Sequence, residues 1–469
     1  MTDVLVVGAG ITGLSAAWEA MRAGSRVTLV EASGQVGGKV RTERVDGFAI
    51  EHGPDSFVAY RPAALSLVTD LGMTDEVVTV GGSRVVHLRA DGRLLPLPDA
   101  MGMVLPTRMV PFVTTPILTW RHKARAGLDL VLPRRLGASD TSAGAFLRAR
   151  LGDGVVDRFA QPLIGGIYGA GIDELSLDAV LPTLRASEAE HRSLMVASLA
   201  QGRDARRRAR ASGAPTPGSP FRSLRTGLGA LPERLAADVR AGGADVRLAT
   251  RVERLDTDST GTAATFSDGS VERFDAVILA VGAAAMADLV ESRAPAAAVA
   301  LRAIPHSTTT VVTLAYPHSA FDSVPTSQGW LEAGEAPISG VTISSNKWAG
   351  RAPEGVVLLR AFVPQRRGPL AMAPDDEILR VVTSHVAGVL GIGGQPVLTR
   401  VTRWTHAMPT YTVGHLDRVA AVESALADVP GWYPAGSALH GVGVPECIAD
   451  GRRVAREAAA GSGAAPASR

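Results

Sequence analysis

"DVLVVGAGITGLSAAWEAMRAGSRVTLVEA", residues 3–32, reads as strand, glycine turn, helix and strand. The run at 4–7 is uniformly apolar, as in a strand buried on both faces, and the spacing changes to that of a helix after the turn. Between them lies G-x-G-x-x-G at Gly8, Gly10 and Gly13. Gly8 permits the tight turn, Gly10 lets a pyrophosphate approach the backbone, and Gly13 allows close helix–sheet packing. The helix N-terminus at Ile11, Thr12 and Gly13 would then offer N–H groups and a partial positive charge to phosphate. Glu31, followed by Ala32, ends the second strand at the spacing that places a carboxylate on a ribose hydroxyl and argues against a 2′-phosphate. The order strand, helix, acid raises the match above a packing turn. It does not by itself separate FAD from NAD.

The stretch that follows, "SGQVGGKVRT" at 33–42, adds Gly37 and Gly38 beside Lys39 and Arg41. Two glycines allow a second close backbone approach, and the cations can meet anionic parts of a ligand. A surface turn with solvated cations is the plainer alternative.

A chain of 469 residues predicts two or three packed units. Its 48 Lys and Arg against 46 Asp and Glu create no global field, so nucleic acid is not an expected partner. Cys447 is the single cysteine, which excludes an internal disulfide framework and a cysteine-rich metal site and fits a reducing cytoplasm. The start "MTD" leads straight into a strand, so no signal peptide is expected. Residues 101–120, "MGMVLPTRMVPFVTTPILTW", are apolar but carry Pro106, Arg108, Pro111 and Pro116, which predicts a loop or broken helix touching a membrane surface at most. The stretch 201–220, "QGRDARRRARASGAPTPGSP", lacks an apolar face and reads as a mobile surface loop. Residues 228–290 read as returning parts of the first domain, 300–424 as sheet, and the end from 432 as strand, glycine-rich loop and helix, with a frayed tail.

Several segments together resemble the flavin-dependent amine oxidase superfamily and, within it, the porphyrinogen oxidases of haem synthesis. They are "GAGITGL", "VEASGQVGGKVRTERVDGFAIEHGPDSF", "QPLIGGIYGAGIDELSLDAVLP" at 161–182, "FRSLRTGLGALPERL" at 221–235, "SSNKWAGRAPEGVVLLRAFV" at 344–363, "RWTHAMPTYTVGH" at 403–415 and "GSALHGVGVPECI" at 436–448. The resemblance spans nearly the whole chain. It implies an α/β fold with a Rossmann-type FAD-binding domain at 1–80, 228–290 and 425–469. A sheet-based substrate domain is implied at 81–100, 216–227 and 291–424, with a helical domain at 101–215.

The resemblance further implies one noncovalent FAD. Glu31 would hold the ribose, Gly38, Lys39 and Arg41 would line the cofactor, and Gly53, Pro54, Asp55 and Ser56 would follow the ribityl chain. Val252 would offer its backbone to the adenine, Trp404 would pack near the flavin ring, and Gly436, Val442, Gly443, Val444 and Ile448 would complete the contacts. Substrate would meet Arg61 and Lys347 at its carboxylates and Gly165, Gly166, Tyr168 and Gly169 along a cavity wall. Arg351 and Arg360 are further rim cations by type, Arg360 being the better structural ion pair. The implied reaction is oxygen-dependent oxidation of a porphyrinogen, coproporphyrinogen III in preference to protoporphyrinogen IX, with peroxide as by-product. Cytoplasmic location, peripheral membrane contact and transient contact with other haem-pathway enzymes go with it.

No general base is assigned. His406 and His415 are read as structural, and no metal site is expected. An amine oxidase would need aromatic residues where this chain has "ALHGVGVPECI", and Cys447 beside that loop is read as a packed thiol rather than a flavin linkage. An amine oxidase and a non-enzymatic FAD-binding scaffold remain the readings of other classes.

Overall fold

The structure is a computed structural model and describes residues 1–99, 102, 104–211 and 219–461. By its internal contacts the chain forms two units, one of residues 1–79, 220–304 and 417–469, the other of 80–219 and 305–416.

The first unit is built on a five-stranded parallel sheet in the order Asp245–Arg247, Arg26–Val30, Asp3–Val7, Ala276–Leu279, Trp432–Pro434. The apolar run of the first strand follows from burial on both faces. Val4 and Val6 pack with Leu14, Leu231, Leu235 and Ile448 on one side, Leu5 and Val7 with Leu255, Phe266 and Met286 on the other. The helix Ile11–Arg22 stops where Gly24 takes φ +87°, with N–H bonds from Gly24 to Met21 and from Ser25 to Ala20. An antiparallel sheet of Val252–Asp258, Gly261–Phe266 and Val271–Phe274 belongs to the same unit.

The second unit holds a seven-stranded mixed sheet in the order Leu398–Pro409, His306–Pro317, Val356–Pro364, Gly340–Ile343, Gly329–Glu332, His87–Ala90, Arg93–Pro96. The helix Asp375–Leu390 contributes Ile378, Val382 and Val386 to the core against Val312, Leu314 and Tyr316. The stretch 101–120 is broken as expected. A helix Met109–Thr114 carries Pro111 in its first turn, Pro116 follows it, and the next helix, Trp120–Gly127, starts on a cap from the Thr119 hydroxyl. Met101 and Met103 of that stretch lie outside the described residues.

The reading of 201–220 as a loop is corrected over its first half. Residues 201–211 continue the helix Leu194–Ala211, while 212–218 lie outside the described residues. Leu194 and Met195 bury the first turn, and Arg and Ala are strong enough helix formers to carry it on into solvent. An apolar face was not needed along the whole length.

The helical part of this unit is tied by a buried polar hub. Arg150 and Asp129 are both inaccessible to solvent, with Nε 2.6 Å from Oδ1. Arg150 also donates to the carbonyl of Pro133 at 2.7 Å, and Asp129 Oδ2 accepts from Ser193 Oγ and the Met195 N–H. Removing Asp129 leaves the Arg150 charge with only the longer contact to Glu188 Oε1 at 3.4 Å and takes the acceptor from the Ser193 hydroxyl and the Met195 N–H. Asp129→Ala is therefore expected to destabilise the protein by about 3–5 kcal/mol, and the Asp129→Ala/Arg150→Met pair to recover most of that loss. Urea unfolding followed by circular dichroism checks both, and a double variant no more stable than the single one refutes the assignment.

Candidate functional site

At the carboxyl ends of the parallel strands, in the first unit, the glycines divide by what surrounds them. A Cβ on Gly8, at φ +101°, would meet the Ala280 carbonyl oxygen at 2.7 Å. One on Gly13 would lie 1.8 Å from the Gly8 carbonyl oxygen. These two are dictated by the fold. Gly10 is different: its Cβ would point into open space, with no atom within 4 Å, and no side chain caps the helix that begins after it. The N-terminus of an uncapped helix beside an open glycine is suited to a phosphate group.

The second glycine pair lies against this turn. The Gly37 N–H donates to the Ala9 carbonyl at 2.8 Å, and Gly10 and Gly37 form a parallel bridge. Gly38, at φ +57°, would place a Cβ 3.3 Å from the Gly10 Cα. Glu31 is fixed by its neighbours, accepting from the Ala9 N–H at 2.8 Å and from the Ser33 N–H and hydroxyl at 2.9 and 2.8 Å. A carboxylate can accept about four hydrogen bonds, which leaves capacity for a ligand hydroxyl. It borders a cavity of about 340 Å³ lined also by Gly8, Ala32, Thr250, Val252 and Leu289. Val252 itself is buried, so it can present only backbone there.

Lys39 is half-buried with Nζ 3.4 Å from Ser437 Oγ, and burial holds its pKa below the ordinary lysine value. The chain doubles back beside it, since a Cβ on Gly53 would lie 1.9 Å from the Lys39 carbonyl oxygen and the Arg41 carbonyl accepts from the His52 N–H. Pro54, Asp55 and Ser56 are half-exposed. Ser56 Oγ donates to Asp55 Oδ1, and Ser223 Oγ donates to the Asp55 carbonyl.

The C-terminal loop joins the same unit. Gly436, at φ +117°, is 3.9 Å by its Cβ position from Thr12 Oγ1, and its N–H donates to Asp450 Oδ2 at 2.8 Å. Val442 and Gly443 are half-exposed, whereas Val444 and Ile448, like Ile11, bury their side chains in the core and leave backbone for contact. Burial pushes the Cys447 thiol up to about 11, so it is protonated at neutral pH and is no ready nucleophile. Arg61 is exposed, with Nε 3.1 Å from Glu446 Oε1. Glu446, Asp450 and His440 were passed over in the sequence reading. Arg61 meets Glu446, and His440 meets Asp450 and Glu423, only through the folding of separate segments.

In the second unit Gly165, Gly166, Tyr168 and Gly169 do not form a plain loop. Gly165 closes a wide helical segment, Val156–Gly165, and Gly166–Tyr168 form a short turn of helix ended by Gly169 at φ +63°. Packing explains Gly165, whose Cβ would lie 2.0 Å from Gln161 Nε2, while Gly166 faces open space. The Tyr168 ring is 5.7 Å from that of Tyr411, which stacks on buried His415 at 3.8 Å. Trp404 is half-buried opposite Thr309, and His406 is exposed at φ +46° within the bulge that separates Trp404 from Met408 in that strand pair. Lys347 is half-exposed, its Nζ 5.2 Å from the Trp348 ring centroid.

Arg351 and Arg360 are interior residues, which corrects Arg351 as a candidate rim cation and leaves Arg360 with the structural reading its apolar flanks favour. Both are at most 2% exposed, and the Arg360 guanidinium lies over the Phe362 ring. The strand that carries Arg360 is buried on both faces, so a charge on it cannot reach a rim. A cavity of about 760 Å³, lined by Arg84, Val86, Leu97, Pro111, Phe159 and Leu163, was not foreseen. Its walls come from segments distant in sequence. Phe159 and Leu163 lie on the helical segment that leads into Gly165. Among the described residues no helix is long and apolar enough to cross a membrane.

The model of the flavin containing amine oxidoreductase family matches residues 11–459. A coproporphyrinogen III oxidase of Propionibacterium freudenreichii is 56% identical over 97% of this chain and 90% of its own length. One from Bacillus subtilis is 34% identical over 97% of each. A crystal structure from Exiguobacterium sp. 255-15, assigned as a protoporphyrinogen oxidase, superposes with a TM-score of 0.84 at 31% identity, covering 97% of this chain and 98% of the other. With the glycine turn, the acid and the second glycine pair in one cleft, these matches identify the chain as a member of the flavin-containing amine oxidoreductase family, a flavin-dependent oxidoreductase that groups with the bacterial coproporphyrinogen III oxidases.

Proposed function

We propose that this chain oxidises coproporphyrinogen III to coproporphyrin III with one noncovalently bound FAD and molecular oxygen, releasing hydrogen peroxide. The observation that carries the reading is the 56% identity, over nearly the whole chain, to a coproporphyrinogen III oxidase. Protoporphyrinogen IX is the second reading, supported by the relative assigned to that activity.

In this reading residues 1–80, 228–290 and 425–469 hold FAD, 81–100, 216–227 and 291–424 hold substrate, and 101–215 form a helical part. Glu31 takes the adenosine ribose, the helix start at Gly10, Ile11, Thr12 and Gly13 takes the pyrophosphate, and Val252 offers backbone to the adenine. Gly37, Gly38, Lys39 and Arg41 close over the dinucleotide, residues 53–56 follow the ribityl chain, and residues 436, 442–444 and 448 together with Trp404 complete the flavin contacts. A flavin held there would supply a hydride acceptor for meso carbons of the porphyrinogen, and the six-electron conversion would take three such two-electron oxidations, with three oxygen molecules reduced to three of hydrogen peroxide. The chain's part is to orient the macrocycle, with Arg61 and Lys347 toward its carboxylates and the backbone of 165–169 against its face, and to keep the reacting carbon in place. No side-chain base is invoked, because loss of a pyrrole N–H proton from the delocalised cation needs none.

Purified protein should be yellow, release its flavin intact on denaturation, and show a kcat/KM for coproporphyrinogen III about tenfold or more above that for protoporphyrinogen IX. Equal or reversed specificity constants reject the substrate assignment. Rapid flavin reduction by an amine under anaerobic mixing would point to the amine oxidase reading instead, and full flavin loading without turnover to a scaffold.

Two glycine variants separate the cofactor from the fold. Gly10→Val should leave the apo-protein folded and abolish FAD uptake, since its side chain would fill only ligand space. Gly13→Val should cost folding itself, because its Cβ collides with the Gly8 backbone. Circular dichroism with flavin fluorescence reads both, and normal FAD binding by Gly10→Val refutes the placement.

Peripheral membrane contact is proposed through the surface around the helices at 109–127. Val110 and Trp120 are each 72% exposed there, with Arg108 and Arg121 also at the surface. Apolar tips among cations match the headgroup zone of an anionic bilayer. Cosedimentation with phosphatidylglycerol vesicles, reduced several-fold in Val110→Ser/Trp120→Ser, is the expected result, and no difference between that variant and the natural protein refutes it.

A further inference from the structure

His440 lies in the middle of the loop between the strand Trp432–Pro434 and the helix Val444–Gly461, in the first unit. Its two ring nitrogens face carboxylates on two different helices. Nε2 is hydrogen-bonded to Glu423 Oε1 at 2.8 Å, on the helix His415–Ala427, and Nδ1 lies at an ion-pair distance of 3.0 Å from Asp450 Oδ1, on the following helix, without hydrogen-bond alignment. Both nitrogens are donors only in the imidazolium. A neutral ring could serve Glu423 through Nε2–H alone, but with carboxylate oxygens 2.8 and 3.0 Å from its two nitrogens the positive form is favoured by charge.

Asp450 makes the arrangement more than a surface pair. It is 5% exposed, and its Oδ2 accepts from the Gly436 N–H at 2.8 Å. One carboxylate therefore holds the loop at its first residue and, through the imidazole, at its middle. The loop also folds on itself, with the Leu439 N–H donating to the Gly436 carbonyl at 3.0 Å, and it buries Ala438 and Leu439 in the core. The remaining charged groups around the ring are Arg453 and, beyond it, Glu457. Arg453 donates to Asp450 Oδ1 at 2.6 Å and to Glu457, and its charge opposes the imidazolium.

We propose that His440 is a positioning residue for the flavin: as an imidazolium bridging Glu423 and Asp450 it holds residues 436–443 in the conformation that receives FAD, so that FAD retention weakens as His440 loses its proton. The inference rests on the reading that this loop contacts FAD. Asp450 foremost, with Glu423 in support, raises the His440 pKa above the ordinary histidine value against the opposing effect of burial. The sign follows. A group with a raised pKa gives its full stabilisation below the ordinary value and loses it as pH climbs through the raised one. FAD affinity should thus be high in mild acid and fall on the alkaline side.

The test is FAD binding to apo-protein, followed by quenching of flavin fluorescence from about pH 6 to about pH 9. The natural protein should show a dissociation constant rising roughly tenfold across that range, which corresponds to about one pKa unit of coupling. His440→Gln should be flat over the range and weak throughout. Glu423→Gln removes one carboxylate and should keep the pH dependence but move its midpoint to lower pH, a displacement that loss of structure would not produce. Thermal melting of the apo-proteins is measured alongside. The same pH dependence in His440→Gln as in the natural protein, no dependence in the natural protein, or a dependence seen only in melting overturns the proposal. In those cases FAD still binds, and the proposed function stands; a chain that takes up no FAD overturns both.

Discussion

The first unit is organised by how closely one helix can approach its neighbours. The helix Ile11–Arg22 meets the turn before it at Gly13, where a methyl group would stand 1.8 Å from the Gly8 carbonyl oxygen, and it meets the last helix at Gly451, where a methyl group would stand 2.2 Å from the Thr12 carbonyl oxygen. Neither gap can open without lifting the helix off the sheet. That closeness places the first-turn N–H groups at the ends of the parallel strands, and it brings the loop 436–443 to the same turn through Gly436 and Thr12. A helix held a few ångströms further out would still be a helix, but its N-terminus would no longer face the cleft beside Glu31.

Charge in this cleft is handled by spreading it over fixed partners. Glu31 is held by two N–H groups and a hydroxyl before any ligand arrives, which keeps its carboxylate aimed without a rotamer search. Lys39 is the opposite case, a cation whose burial depresses its pKa and whose ammonium would gain most from an anion placed nearby. The neighbouring Cys447 remains a thiol because the same burial disfavours its anion. Covalent capture of a flavin at that position would first require a deprotonation that the surroundings oppose.

Residues 3–32 made the parallel sheet, the first helix and Glu31 legible, because local pattern and tertiary role coincide there: apolar runs for strands buried on both faces, glycines where backbones touch, and an acid at a strand end. Legibility failed where the deciding partner is remote in the chain. The helix over 201–211 looked like a loop because a solvated Arg-rich helix has no apolar face to announce it. Arg351 reads as a rim cation because nothing in the local "WAGRAPEG" tells that the folded chain buries it, whereas Arg360, between "VVLL" and "AFV", already reads as the more structural of the two. His440 carries no local signal of its role, since its partners Glu423 and Asp450 come from two helices that fold over it. The cavity beside Phe159 is a product of topology alone.

The glycines show how the two kinds of information can be told apart. In sequence Gly10 and Gly13 are equivalent members of one motif, and Gly165 and Gly166 are adjacent members of another. In space one of each pair is filled by the protein's own atoms, and the other faces a gap. A glycine crowded by its own fold is explained without a ligand. A glycine whose missing side chain would meet nothing, on a segment held rigid by its crowded neighbour, leaves a space for something outside the chain. Gly10 satisfies that condition beside an uncapped helix N-terminus, and Gly166 satisfies it on the segment that Phe159 and Leu163 lead into. The first is suited to an anion approached by N–H groups, and the second to a broad apolar face, where absence of a side chain matters more than charge.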